Sequence, residues 1–204
     1  MDSNILIKKI IKNKGEIKNM ATKTFDKALM ASEDIKAYVG SALYQANGAN
    51  APIHDGAFVV LGDLAPDTTY QATGDVDYNV YLATAPAAVT DKVVVLDYAG
   101  IQEGTIGGND YKMGIQLYNL VCPAGKTCRF RRLAVGDKMW LSDGLFTAEP
   151  TIGEYAELTA NNTILTPQAS HTAGQFAVKI LAQTEMTTGQ IANGVKYLAE
   201  VVEL

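Results

Sequence analysis

Beyond Asn50 the apolar positions fall in short runs rather than at helical spacing. "GAFVVLGDL", "YNVYLATA" and "KVVVLDYA" are each rich in Val, Tyr or Leu and closed by Gly, Asp or Pro. "LYNLVC", "CRFRRL", "DKMWLS", "GEYAEL", "NTILTP", "GQFAVKILAQTEM" and "VKYLAEVVEL" continue the pattern. Strand candidates at this spacing, not alternating with helices, predict a mainly β fold, a small β-barrel or β-sandwich. The dipeptide "GD" recurs in "LGDL", "TGDV" and "VGDK", where it marks turns. One segment departs from the pattern. In "SEDIKAYVGSALYQANG", Ser32 stands as an N-cap with Glu33 and Asp34 in the first turn, and Ile35, Val39, Ala42, Leu43 and Ala46 follow at helical spacing. Asn47 and Gly48 suit a helix end, so one N-terminal α-helix is expected, with Gly40 weakening it by about 1 kcal/mol relative to Ala.

Residues 1–31 read as an extended N-terminal arm and residues 32–204 as a single β-rich domain that begins with this helix. Within the arm, "MDSNILIKKIIKNKGEIKN" is dominated by Lys, Ile and Asn, and "MATKTFDKAL" then begins at Met20 like a fresh start. The stretch "KGEIKNM" can be encoded with a purine-rich ribosome-binding sequence just ahead of an ATG. Two explanations stand: residues 1–19 are a translated leader before a natural start at Met20, or they are a true basic arm.

The chain of 204 residues is 48% hydrophobic, enough for a sizeable core, and its 18 Gly and 10 Tyr fit strands and turns better than a bundle. Net charge is −5, but residues 1–27 carry seven Lys against three acids, so the remainder stands at −9. An acidic body repels phosphate backbones, and no nucleic-acid partner is expected. No apolar run approaches the roughly 20 residues that span a bilayer, and Ile5–Ile7 is too short for a signal-peptide core. No membrane partner is expected either, and a chain kept in the cytoplasm would hold Cys122 and Cys128 reduced.

The candidate chemistry is concentrated in "CPAGKTCRFRRLAVGDKMWLS". A phosphate loop would need glycine where Leu120 stands and a helix after Thr127, but "CRFRRL" is strand-like. A hairpin accounts for more: Cys122 opposite Cys128 across "PAGKT" sets Leu120 against Phe130 and Tyr118 against Arg132, while Arg129 and Arg131 point to the other face. The two cysteines lack the second pair that a zinc site needs, and could bridge if oxidised. "DVDYN" opens like a calcium loop, yet its sixth position is Val80 and its twelfth is Pro86. His54, beside Asp55 in "HDG", and His171 are the only histidines, and neither a G-x-S-x-G elbow nor an H-E-x-x-H helix is present. Trp140 alternates with Met139 and Leu141 as a half-buried sheet residue does. No catalytic residue, no metal site and no cofactor is therefore expected, and the chain is expected not to be an enzyme.

The order of "IHDGAFVVLGDL", "YLATAPAA", "KVVVLDYAG", "PAGKTCRFRRLAVGDKMWLSDGLF", "PTIGEYAEL" and "ILTP", over residues 20–204, resembles a family of small structural proteins from tailed bacteriophages of Gram-positive hosts. The resemblance implies a virion part, assembled in the host cytoplasm: a capsid decoration or cement protein that binds the major capsid protein on the outer surface of the expanded head. It further implies self-association, commonly as a trimer. Within that expectation "ATKTFDKAL" could add as a strand to a capsid subunit, with Lys23, Phe25 and Lys27 as contacts; alternatively Phe25 packs on the chain's own core. A tail or head-fibre component and a host-surface carbohydrate-binding module are the rivals.

Overall fold

The computed structural model describes residues 23–65, 80–98, 104–106, 109–111, 121–188 and 191–204, with side chains described outside 104–106, 109–111, 186–188 and 191–193. The strands in chain order are β1 (Phe25–Leu29), β2 (Val39–Ala46), β3 (Ala49–Asn50), β4 (Ile53–His54), β5 (Phe58–Leu64), β6 (Val80–Thr84), β7 (Val93–Asp97), β8 (Gly104–Ile106) and β9 (Asn109–Tyr111). They continue as β10 (Val121–Cys122), β11 (Thr127–Arg132), β12 (Lys138–Ser142), β13 (Tyr155–Glu157), β14 (Thr166–Gln168), β15 (Ala177–Thr188) and β16 (Ile191–Glu203). The fold is mainly β with several sheets, and no helix among the described residues reaches seven residues.

Two large assemblies share one wall. The first is a sheet in the order β1-β12-β16-β15-β13-β14; the second runs β11-β7-β5-β6-β2-β3, with β11 also paired to β2, so five of its strands return to their start as a closed ring of ladders. Only β2–β6 is parallel within the ring. Strand β7 and the first half of β5 have both faces covered. Phe58, Val93 and Val95 join Met139, Leu141, Val178, Ile180 and Tyr197 in the core between the assemblies, whereas Val59, Val94 and Leu96 join Ala42, Ala83, Cys128 and Phe130 in the core of the ring. That double burial explains the unbroken apolar runs "FVV" and "VVVL", which one-sided strands would interrupt with polar residues. Phe58 meets Phe176 across the interface, with ring centroids 5.4 Å apart.

The expected helix at residues 32–47 does not form. Ala31–Glu33 and Lys36–Tyr38 are single 3₁₀ turns, and Val39–Ala46 is strand β2. Its two edges explain the difference: β11 pairs along one side and β6 along the other, giving this backbone ladder bonds from neighbours distant in sequence. Gly40 supports the same outcome. It lies opposite Phe130 in the β2–β11 register, and a Cβ there would come within 2.5 Å of the ring's Cζ. Asn47 and Gly48 end no helix; with φ of 52° and 76° they form the two-residue turn of the β2–β3 hairpin, the type I′ geometry for which Asn-Gly is suited.

The predicted ladder between "LYNLVC" and "CRFRRL" is also revised. Cys122 pairs with Ile53 on β4, and Cys128 with Ala42 on β2. Leu120 and Tyr118 lie outside the described residues, as do "DVDYN" and the whole of residues 1–22. The other expected strands within the described residues appear close to their expected places, "NTILTP" contributing only its end to β14.

Replacing Gly40 by Ala should destabilise the protein by about 1–3 kcal/mol, because the Phe130 ring must leave its packed position. Urea unfolding with an unchanged slope checks this; a neutral result would mean that the ring does not hold Gly40 close.

Candidate functional site

The arm segment that sequence reasoning singled out is strand β1, added antiparallel to the edge of the six-stranded sheet with Phe25 opposite Leu141 and Lys27 opposite Met139. Phe25 is buried, as is Met30 at the far end, so two apolar side chains anchor the segment in the chain's own core. The four residues Asp26–Leu29 are exposed, and among the described residues β1 has a ladder neighbour in its sheet only on the β12 side. Lys23 is partly buried, and burial lowers its pKa. Lys27 pairs with Glu33 at 3.0 Å, and Lys196 pairs with Asp26.

Buried polar groups fix this edge. Asp55 accepts from the Phe25 amide at 3.0 Å with one oxygen and from the Tyr98 amide at 2.8 Å with the other, so a single carboxylate ties β1 to the end of β7. Asp137 does the same at the other end, taking the Ala31 and Ala134 amides at 2.8 Å each. Ser142 completes the set: its hydroxyl accepts from the Thr24 amide at 2.7 Å, and its own amide donates to the Thr24 carbonyl. The "GD" turn at Gly136–Asp137 was legible, since an Asp commonly caps its own turn. That its second oxygen reaches Ala31 was not, because the partner lies far away in sequence.

Burial, the dominant effect, pushes Asp55 up to about 7 with help from the nearby Asp97 charge, against the hydrogen bonds from Tyr98, Phe25 and Gly56. Neighbouring His54 is pushed down to about 4 by burial and by Lys23, which leaves a neutral imidazole 3.4 Å from the Thr163 hydroxyl. His171 belongs to a different cluster. Its ring lies between Glu157, at 3.0 Å, and Glu203, and those carboxylates also accept the Thr172 and Gly174 amides at 2.6 Å. The Glu203 hydrogen bond raises the pKa of His171, with Glu157 adding to it against partial desolvation. The two histidines therefore share no partner, and His171 acts as a clasp on its own loop.

Of the arginines on β11 only Arg131 is buried, and it shares one carboxylate with the exposed Arg129. Asp97 receives Arg131 Nε at 2.6 Å and Arg129 Nη2 at 2.9 Å, and Arg131 also donates to the Ser32 hydroxyl. Burial alone would raise the pKa of Asp97; the two guanidiniums outweigh it and lower it. Arg132, exposed like Arg129, lies over the Phe130 ring at 5.6 Å, so each arginine of "RFRR" has a partner within the chain. Trp140 is half-buried, between Asp26 and Leu198 in the sheet register. Among the described residues no group of three or more His, Cys, Asp or Glu side chains is arranged to hold a metal ion, and no helix is long and apolar enough to cross a membrane.

No protein-family model, no curated protein and no solved structure matches this chain.

Asp97→Ala leaves the buried Arg131 guanidinium without its counter-charge and should cost about 3–5 kcal/mol, while Arg129→Ala, at a half-exposed position, should cost under about 1 kcal/mol. Chemical denaturation of both variants tests the ranking; equal losses would overturn it.

Asp55 and His171 give pH dependences of the same sign. Each has a folded pKa above its ordinary value, so its contribution is complete below that ordinary value, 3.8 or 6.5, and is lost as pH rises through the folded one. His54, with its folded value near 4, acts in the opposite sense between pH 4 and 6.5, so unfolding free energy should stay nearly level there and decline from about pH 6.5 to 8. Asp55→Asn should turn the level part into a rise with pH, and His171→Gln should flatten the decline above 6.5; slopes identical to wild type would contradict both assignments.

Proposed function

We propose that this protein is a non-enzymatic virion structural protein of a tailed bacteriophage, a decoration protein that binds the major capsid protein on the outer surface of the head. Two observations support this: the segment-by-segment sequence resemblance, and an edge strand fixed from beneath by buried carboxylates while Asp26–Leu29 remain exposed. The β1 edge carries the proposal. A strand already ordered on its own sheet loses little conformational entropy when a second strand adds to it, and backbone hydrogen bonds then supply affinity without a pocket. In this geometry Phe25 anchors β1 from within, and the contacts offered outward are Lys27 and Leu29, with Lys23 at the strand's entrance.

The closed ring of strands is, in this proposal, a small β-barrel that serves as the rigid body of the decoration. Copies associate with one another, as trimers, on the expanded lattice, and many modest contacts together stiffen the shell. Where residues 1–19 are a true basic arm, their lysines add electrostatic attraction to an acidic capsid surface.

Co-sedimentation of the full-length chain with expanded capsids that lack it tests the proposal. Saturation at a fixed number of copies per capsid subunit is expected, with binding weakened about tenfold or more by the double change Lys27→Glu and Leu29→Asp at unchanged thermal stability. Absence of capsid binding, or recovery of the protein in isolated tails or on cell-wall glycan, would replace it with one of the rivals.

A further inference from the structure

The loop between β14 and β15, residues 169–176, is held to the sheet through His171, and its anchors lie in one row. Ala177, the first residue of β15, stands opposite Glu157 on β13 and opposite Glu203 on β16. Residues directly opposite in a sheet share a face, so the two glutamates rise from backbones two strand spacings apart, about 10 Å, with only the Ala177 methyl group between them. The imidazole spans that gap. Its Nδ1 meets Glu157 at 3.0 Å and its Nε2 meets Glu203, and the same carboxylates accept the amides that follow in the chain, Thr172 on Glu157 and Gly174 on Glu203. Two further groups stand near the ring. Tyr155 of β13 stacks on it at a tilt, with ring centroids 5.7 Å apart, and the Lys179 ammonium of β15 lies 5.8 Å from the centre of the same tyrosine ring. Within the loop His171 is the only charged or titratable side chain.

An ionised carboxylate accepts hydrogen bonds and cannot donate them, so carboxylates at both ring nitrogens require a proton on each. The closed loop therefore holds His171 as an imidazolium. We infer that residues 169–176 form a pH-operated strap, closed by the imidazolium bridge between β13 and β16 and released at its Gly174 end when the ring gives up one proton. The neutral ring keeps a single N–H, and its other nitrogen then turns a lone pair toward a carboxylate. The break falls on the Glu203 side, because that side chain is 34% exposed against 7% for Glu157 and water replaces its lost hydrogen bond more readily. Nδ1 thus keeps its proton and its bond to Glu157, which also retains the Thr172 amide. Glu203 rotates into solvent, and the Gly174 amide loses its acceptor. The Glu203 hydrogen bond, with Glu157 adding to it, raises the pKa of His171, so the strap is fully closed below the ordinary value of 6.5 and loosens as pH rises through the raised one. The opening is local: β15 and β16 stay paired beneath it.

Nuclear magnetic resonance of the full-length protein, titrated from about pH 5 to 9, tests the strap. Both His171 ring nitrogens should carry protons at the acid end, and the neutral ring at the alkaline end should keep its proton on Nδ1. Protection of the Gly174 amide from hydrogen exchange, relative to an unstructured amide at the same pH, should fall by up to about tenfold per pH unit above 6.5, while Thr172 and the β15–β16 ladder keep theirs. His171→Gln should leave the Gly174 amide unprotected at every pH, and Glu203→Gln should bring the His171 midpoint down toward 6.5. A ring with one N–H throughout the range, a neutral ring protonated on Nε2, Gly174 protection that ignores pH, or protection lost only together with the whole sheet would each overturn the inference, and wild type alone distinguishes these outcomes. No capsid enters the readout, so a failure here is distinct from a failure of the decoration proposal.

Discussion

Strands β5 and β7 form a wall with apolar side chains on both faces, and the two halves of the molecule are organised around it. Phe58, Val93 and Val95 look toward the six-stranded sheet, and Val59, Val94 and Leu96 look into the ring. Each such side chain withdrawn from water contributes about 1.5–3 kcal/mol, so a polar substitution anywhere on this wall would weaken one of two cores that cannot slide independently. The β2–β11 ladder closes the ring behind the wall, and Phe130 lying over Gly40 lets the two backbones sit in register.

Once the wall exists, the polar interior follows from the need to satisfy every buried backbone group. Asp55, Asp137 and Ser142 stand where the arm crosses the sheet edge, and each pairs amides from segments remote in sequence. Asp97 does the equivalent for side chains: it pairs with two arginines, and supplies the counter-charge that the buried Arg131 needs on a ring strand. These brackets make β1 a fixed part of the fold, which distinguishes it from a loose tail that orders only on contact. A fixed edge is a hazard as well as an opportunity, since open strand edges invite aggregation. Charged Asp26 and Lys27 on this edge, each held in an ion pair, discourage indiscriminate pairing.

The two cysteines illustrate how a turn and a core act together. Pro123–Lys126 forms a tight turn between them, and both thiols are buried in the core of the ring.

By itself the sequence determined the β class, most strand positions and the absence of any familiar catalytic or metal-binding motif, because short Val- and Tyr-rich runs closed by Gly, Asp and Pro are local properties. It also marked the segment around Phe25 as distinctive. Tertiary structure alone decided the fate of Val39–Ala46: helical spacing and an N-cap were outweighed by ladders on both edges, and Asn47-Gly48, readable as a helix end or a hairpin turn, took the second role. It likewise decided the strand partners of Cys122 and Cys128, the burial of Arg131 and the second oxygen of Asp137. All of these depend on contacts between residues far apart in the chain, whose energies local patterning does not record.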